Sequence, residues 1–256
     1  MTLCCDTSTL PIKNEVSVIG LCISYHYSDT LQYMLPSNYL HFEKIYIATQ
    51  EDDIQTIELC KQYRNVDVIF YQFNKDDKKF DKYGALNLIQ SIAYKEYPDS
   101  WYINIDSDII LPVNFGDLFK TQLNPECIYG CIRLNCTKSS ELIHKSKLSK
   151  SYMFNNILFS LNKPPSIVGC FQLYKKKVFH KNFNDASEGD LCFCHDNFTM
   201  FCRLPIAYIH LGPSGVNWKG KVKDFIIDHA IKNIWFTSTS TENYKYYNHK
   251  RNLIKN

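Results

Sequence analysis

Trp101-Tyr102-Ile103-Asn104-Ile105-Asp106-Ser107-Asp108-Ile109-Ile110-Leu111-Pro112 is the most informative stretch of the chain. Its first five residues are apolar or aromatic apart from Asn104, the pattern of a buried strand. That strand runs straight into two acids spaced by one residue, and a second apolar run leaves them. Asp106 and Asp108 are therefore expected at the rim of a buried strand, where uncompensated charge is costly. A hard divalent cation shared with diphosphate oxygens would supply the compensation. A turn in which both acids cap backbone amides is the alternative that needs no chemistry.

Upstream of this stretch, strand and helix patterns alternate. Residues 16–24 (VSVIGLCIS), 44–49 (KIYIAT) and 66–71 (VDVIFY) read as strands. Between them, 28–35 fits a short helix stopped by Pro36. Asp52 and Asp53 can cap a helix running to Tyr63. After a charged loop at 74–81, residues 84–97 place Ala85, Leu88, Ile89 and Ile92 at amphipathic helical spacing. This alternation predicts an α/β domain with a mostly parallel central sheet. Right-handed crossovers would then set a crevice at the carboxyl ends of the strands. Tyr25, Thr49 to Asp52, and Asp106 to Asp108 all fall at such ends.

The second half is less regular. A short helix is expected after Pro112, strands at 128–134 and 167–174, and a helix opening within 187–202. A strand at 206–210 precedes the glycine-containing loop 211–220. Residues 224–236 have helical spacing, and 237–256 read as a polar tail.

Bulk properties narrow the classes. With 256 residues, 45% hydrophobic and 21% charged, the chain has the composition of a soluble globular domain. Its net charge of +3 is too weak for a phosphate-backbone binding face, so nucleic acid is not an expected partner. No apolar run approaches the ~18 residues that span a bilayer, and residues 1–13 lack the apolar core of a secretory leader. A cytoplasmic protein without a transmembrane segment is expected. The eleven cysteines are scattered, with Cys22, Cys60 and Cys170 inside apolar segments, and read as reduced core residues. Cys192, Cys194 and His195 form a Cys-x-Cys-His without the further ligands that a zinc site requires.

Several pieces occur in an order that resembles the GT-A fold nucleotide-diphospho-sugar glycosyltransferases, in the style of glycosyltransferase family 2. After the opening strand comes Tyr46-Ile47-Ala48-Thr49-Gln50-Glu51-Asp52. Phe80-Asp81-Lys82-Tyr83-Gly84-Ala85-Leu86-Asn87 is similar to that family's F-x-K-G-x-A-x-N segment, and Asp106-Ser107-Asp108 to its D-x-D. Gly169-Cys170-Phe171-Gln172-Leu173 is similar to the acceptor-side strand. Glu188-Gly189-Asp190-Leu191-Cys192-Phe193 is similar to the acidic D-x-x-F segment. His210-Leu211-Gly212 and Asn217-Trp218-Lys219-Gly220 close the set. The resemblance covers about 16–222. It departs from the family at Tyr83, where many relatives have glycine, and at Gly189, which separates two acids that many relatives place side by side.

The resemblance implies a GT-A, Rossmann-like fold in one domain over 1–236, with a donor-binding half at about 16–112 and an acceptor-side half at about 113–222. It implies an enzyme that moves a sugar from a nucleoside-diphosphate sugar, a UDP-sugar by expectation, to a glycan or other hydroxyl acceptor with inversion. Asp106, Asp108 and His210 would be the metal ligands. The imidazole shifts the expected ion towards Mn²⁺ without excluding Mg²⁺. Tyr25, Thr49, Asp52, Lys82, Asn87, Asp106, Ser107, Trp218 and Lys219 would bind the donor. Asp190, with Glu188 behind it, would take the acceptor proton. Each role has a plainer competitor. Asp52 can be a helix cap, Ser187-Glu188-Gly189-Asp190 also fits a capping box, and Trp218 can simply pack. Two other functions compete. A sugar-nucleotide nucleotidyltransferase would need a glycine-rich phosphate loop where Ser24-Tyr25-His26-Tyr27-Ser28 stands. A non-catalytic nucleotide- or sugar-binding module would have no need of the acids.

Overall fold

Alternate residues of the first strand pack to opposite sides, which explains why it contains no polar position. Within β1 (Val18–Ile23), Val18 and Cys22 join one buried cluster and Ile19, Leu21 and Ile23 join another. The same division recurs in β2 (Lys44–Thr49), where Ile45 and Ile47 face one cluster and Tyr46 and Ala48 the other. A strand covered on both faces reads as a near-continuous apolar run. The computed structural model describes residues 16–74, 80–120, 122–137, 141, 144–145, 149, 159–160, 170–181 and 186–212.

β3 (Val66–Phe70), β2, β1 and β4 (Trp101–Ile105) lie side by side in that order and are mutually parallel. They are joined by α1 (Ser28–Asn38), α2 (Ile54–Cys60) and α3 (Lys82–Glu96). Beyond β4 the sheet becomes mixed. Its remaining strands are β5 (Ile109–Ile110), β6 (Cys127–Cys136), β7 (Phe159–Ser160), β8 (Phe171–Tyr174) and β9 (Met200–Leu211), and α4 (Ala186–Asn197) precedes the last. The full order is β3-β2-β1-β4-β8-β6-β9-β5, with β7 on β9. β8 is antiparallel to both β4 and β6, whereas β6 and β9 run parallel. This is the expected α/β, GT-A-like architecture: a parallel Rossmann-like half extended by a mixed half.

One boundary differs from the sequence reading in an instructive way. α1 does not stop at Pro36; it continues to Asn38 with Pro36 inside it. The extra turn delivers the buried Asn38 side chain, whose Nδ2 donates to the Ile109 carbonyl at 2.7 Å while its Oδ1 accepts from the Leu111 N–H at 2.9 Å. That two-point clamp fixes the segment leaving Asp108, and it offsets the hydrogen bond proline forfeits. The short helix expected after Pro112 is a 3-10 turn at Phe115–Lys120. The expected helix at 224–236, the tail at 237–256, and Trp218 and Lys219 lie outside the described residues. Among the described residues, no helix is long and apolar enough to cross a membrane.

Candidate active site

The carboxyl ends of β1, β2 and β4 open on one side of the sheet, and most of the expected site residues gather there. At the β1 end, the Tyr25 hydroxyl donates to Asp52 Oδ2 at 3.2 Å and accepts from Gln50 Nε2 at 3.3 Å. The Tyr25 ring stacks on Phe73, 5.3 Å between centroids. Burial, followed by the charge of Asp52, raises the Tyr25 pKa, so the phenol stays protonated and able to donate. His26 holds the left-handed backbone conformation (φ 63°), an uncommon and mildly strained state for a non-glycine residue. Its N–H donates to Asp53 Oδ2 at 2.6 Å.

Of the two neighbouring acids, it is Asp53 that takes the capping role the sequence left open to Asp52. Asp53, buried, is the N-cap of α2 and accepts from Thr56 N at 3.2 Å. The other oxygen of Asp53 binds His26 N and Thr49 Oγ1. Thr49 is therefore a fully buried support for Asp53. Asp52 is exposed beside Tyr25.

At the β4 end, Asp106 and Asp108 diverge. The Asp106 N–H donates to the Cys170 carbonyl at 3.2 Å, tying the end of β4 to β8, and Ser107 is buried between the acids. Asp106 Oδ1 lies 3.6 Å from Lys82 Nζ, and the same ammonium lies 3.2 Å from Asp190 Oδ2. Lys82 stands at the start of α3 and Asp190 in the second turn of α4. One cation thus bridges two acids from two other elements. Burial pulls the Lys82 pKa down, but Asp106 and Asp190 outweigh it and hold the ammonium well above its usual range. Burial raises Asp190 above the ordinary carboxylate range, against the opposing pull of Lys82 and a hydrogen bond from Tyr83.

Asp108 turns the other way. Its Oδ2 lies 3.5 Å from His210 Nε2, and the register of β5 on β9 (Ile109 opposite His210) enforces this approach. The Leu211 N–H donates to the Asp108 carbonyl at 2.8 Å, and Gly212 follows with φ 90°, a backbone state that favours glycine. Burial lifts the Asp108 carboxyl to about 6, with His210 pulling it down. Asp108 Oδ1 and His210 Nδ1 are both buried with no hydrogen-bond partner among the described residues. A buried carboxylate oxygen left without a partner beside an imidazole calls for an ion or a proton. Among the described residues, no three His, Cys, Asp or Glu side chains form a cluster able to hold a metal. The expected ligand trio is thus present as the Asp108–His210 pair, with Asp106 drawn aside by Lys82. A carboxylate oxygen and an imidazole nitrogen fit a divalent ion whose shell is completed by diphosphate oxygens.

Solved structures similar to this chain include several glycosyltransferases. The galactosyltransferase LgtC, in complex with donor and acceptor sugar analogues, is 12% identical with a TM-score of 0.45, over 88% of this chain and 95% of that one. The glycosyltransferase GlyE of Streptococcus pneumoniae TIGR4 is 14% identical with a TM-score of 0.45, over 92% of this chain and 65% of that one. The WbbM bifunctional glycosyltransferase is 14% identical with a TM-score of 0.36 over 64% of this chain, which spans only 32% of WbbM's length. At TM-scores below 0.5, no residue's role rests on these likenesses. No known protein family matches the chain, and no curated protein matches it.

One expected donor residue, Asn87, has other employment. Asn87 spends its whole amide on the backbone of His180, accepting from its N–H at 2.8 Å and donating to its carbonyl at 2.9 Å. The Ser187 side chain of the expected capping box lies outside the described residues, and the Asp190 carboxyl meets Lys82 and Tyr83. Glu188 is in the first turn of α4, with its side chain outside the described residues. Cys194, from the Cys-x-Cys-His, turns inward and accepts from Gln172 Nε2 at 3.3 Å. Asn38, Asn104, Gln172 and His180 were not singled out by sequence. A polar residue inside an apolar strand, as Asn104 is in WYINI, was the available signal.

Proposed function

We propose that the chain is a metal-dependent glycosyltransferase that moves a sugar from a nucleoside-diphosphate sugar, a UDP-sugar, to a hydroxyl of a glycan or similar acceptor, with inversion. The observation that supports this most is the convergence of Asp106, Lys82 and Asp190, from three different elements, beside the Asp108–His210 pair.

Asp106, Asp108 and His210 would hold Mn²⁺ or Mg²⁺. Such an ion neutralises the diphosphate and stabilises the charge it gains as a leaving group. Lys82 stands where it can transfer its attraction from Asp106 to that diphosphate. Tyr25 and Asp52 offer a flat ring and a carboxylate to the nucleoside. Asp190 is buried and its pKa is raised by that burial, which strengthens it as a general base. It takes the proton from the acceptor hydroxyl as that oxygen forms its bond to the anomeric carbon. The bond from that carbon to the diphosphate breaks, and the electron pair leaves with the diphosphate. Ser107 and Asn87 support this arrangement from behind. Trp218 and Lys219 are proposed donor contacts on sequence alone.

Asp190→Asn tests the division of labour. It keeps size and hydrogen-bonding capacity but removes the ability to take a proton. Affinity for UDP with Mn²⁺ should stay within a few-fold of the parent by calorimetry, while transfer falls by about 100-fold or more. Near-parent transfer in the folded variant would remove Asp190 from the chemistry.

A further inference from the structure

The acids and the lysine of the site stand on α3, the β4 end and α4, and a buried polar network joins those elements beneath them. Gln90 Nε2, on α3, donates to the Tyr174 hydroxyl of β8 at 2.8 Å, and the Tyr94 hydroxyl, which donates to the Val178 carbonyl at 2.7 Å, lies 3.2 Å from the same oxygen. Tyr174 donates to Asn104 Oδ1, on β4, at 3.1 Å. Asn104 Nδ2 donates to Gln172 Oε1 at 3.0 Å and lies 3.3 Å from His180 Nε2. Gln172 Nε2 closes the chain on α4, donating to the Asp190 carbonyl at 3.1 Å and to Cys194 Sγ at 3.3 Å. Gln90, Asn104, Gln172 and Tyr174 are all buried.

Such a network gains little stability over apolar packing of the same shape, because each group loses water when it is buried. What it supplies is direction: its members bond across β4, β8, α3 and α4, so the register of four elements is fixed together. Gln172 is the member that reaches across from the sheet to the Asp190 residue itself. On β8 it also stands opposite Asn104 in the antiparallel register with β4, two residues before Asp106 on that strand.

We infer that Gln172 is a positioning residue for the reaction: its amide holds the second turn of α4 so that the Asp190 carboxylate meets Lys82 and the acceptor at one fixed place. This rests on the function proposed above. The Asp190 main chain, not its carboxylate, is what Gln172 grips, so its loss displaces the base without altering its charge partners. A base displaced by about an ångström loses rate far more than it loses donor binding.

The test uses the full chain and two readouts. Gln172→Met removes the amide at nearly constant volume. With a UDP-sugar that the parent hydrolyses in the presence of Mn²⁺, the variant should lose about 10-fold or more in kcat with KM changed less than about 3-fold. Amide hydrogen exchange across 189–195 should accelerate by a similar factor, while exchange in β1 and β2 stays at the parent rate. Should Gln172→Met fail to fold, Gln172→Glu keeps the shape and the acceptor for Asn104, and the same two readouts apply. Parent kcat with parent exchange in α4 overturns the inference, as does a general rise in exchange with kcat unchanged. A parent protein that hydrolyses no nucleotide sugar overturns the proposed function alone. The exchange pattern of α4 then still decides whether Gln172 holds Asp190.

Discussion

The ring of Tyr83 lies against the α-carbon of Gly189: a Cβ added there would fall inside van der Waals contact with the ring carbons and the phenol oxygen. The two departures from the glycosyltransferase pattern, Tyr83 in place of glycine and Gly189 between two acids, are therefore one packing arrangement. A large ring has entered on α3 where α4 has given up its side chain. That ring also stacks on His180, 5.0 Å between centroids, and bonds to Asp190.

Gly189→Ala should destabilise by about 1–3 kcal/mol through overpacking, although alanine is otherwise the better helix former. Tyr83→Ala should cost about 3–5 kcal/mol by emptying the space. The double variant should cost clearly less than the sum, because the alanine methyl then has room. Urea unfolding of the four proteins measures the coupling. Strict additivity would mean that the two residues do not share this contact.

His180 supplies a pH signature. It is sandwiched between Tyr83 and Phe193, and burial, followed by the charge of Lys82, lowers its pKa to about 3. Unfolded, the imidazole binds a proton near pH 6.5. The unfolded state therefore takes up a proton first as pH falls, so this contribution to stability is full above about 6.5 and is lost progressively towards about 3. Asp108, raised to about 6, works the other way: its contribution is full below 3.8 and is lost as pH rises through 6. Comparing the parent with His180→Phe cancels the Asp108 effect. Between pH 5.5 and 4.5 the parent should lose about 1 kcal/mol more than the variant. Equal slopes in urea unfolding would show that His180 titrates freely.

The neighbouring acids Asp52 and Asp53 should separate binding from stability. Asp53→Ala orphans the Thr56 and His26 amides and the Thr49 hydroxyl, and should cost about 2 kcal/mol or more in urea unfolding. Asp52→Ala should leave stability within about 0.5 kcal/mol and weaken UDP binding in calorimetry. The reverse pattern would exchange their roles.

What could be read from the sequence follows from which signals are local. Continuous apolar runs such as KIYIAT give strands covered on both faces, and β2 and β4 begin and end where their sequences said. The acid pair was legible because charge at the end of a buried strand needs an explanation. Pro36 misled because proline is judged by its own lost hydrogen bond, while the clamp that rewards the extra turn, Asn38 on Ile109 and Leu111, joins residues 71 and 73 positions apart. For the same reason the sequence did not show that Lys82 bridges Asp106 to Asp190, that Asn87 grips His180, or that Gln172 grips the Asp190 backbone. Those contacts exist only once strands and helices distant in the chain are side by side.

On the proposed function, Asp108 and His210 help a divalent ion hold a nucleoside diphosphate for sugar transfer. The most direct measurement is release of nucleoside diphosphate from a panel of nucleotide sugars, with Mn²⁺ and with a chelator, by the parent, Asp108→Ala and His210→Ala. Mn²⁺-dependent release is expected from at least one UDP-sugar, abolished by the chelator, reduced by about 100-fold or more in Asp108→Ala, and restored in part by excess Mn²⁺ in His210→Ala. Release by Asp108→Ala at the parent rate, or no release by the parent from any nucleotide sugar, would contradict the proposed function.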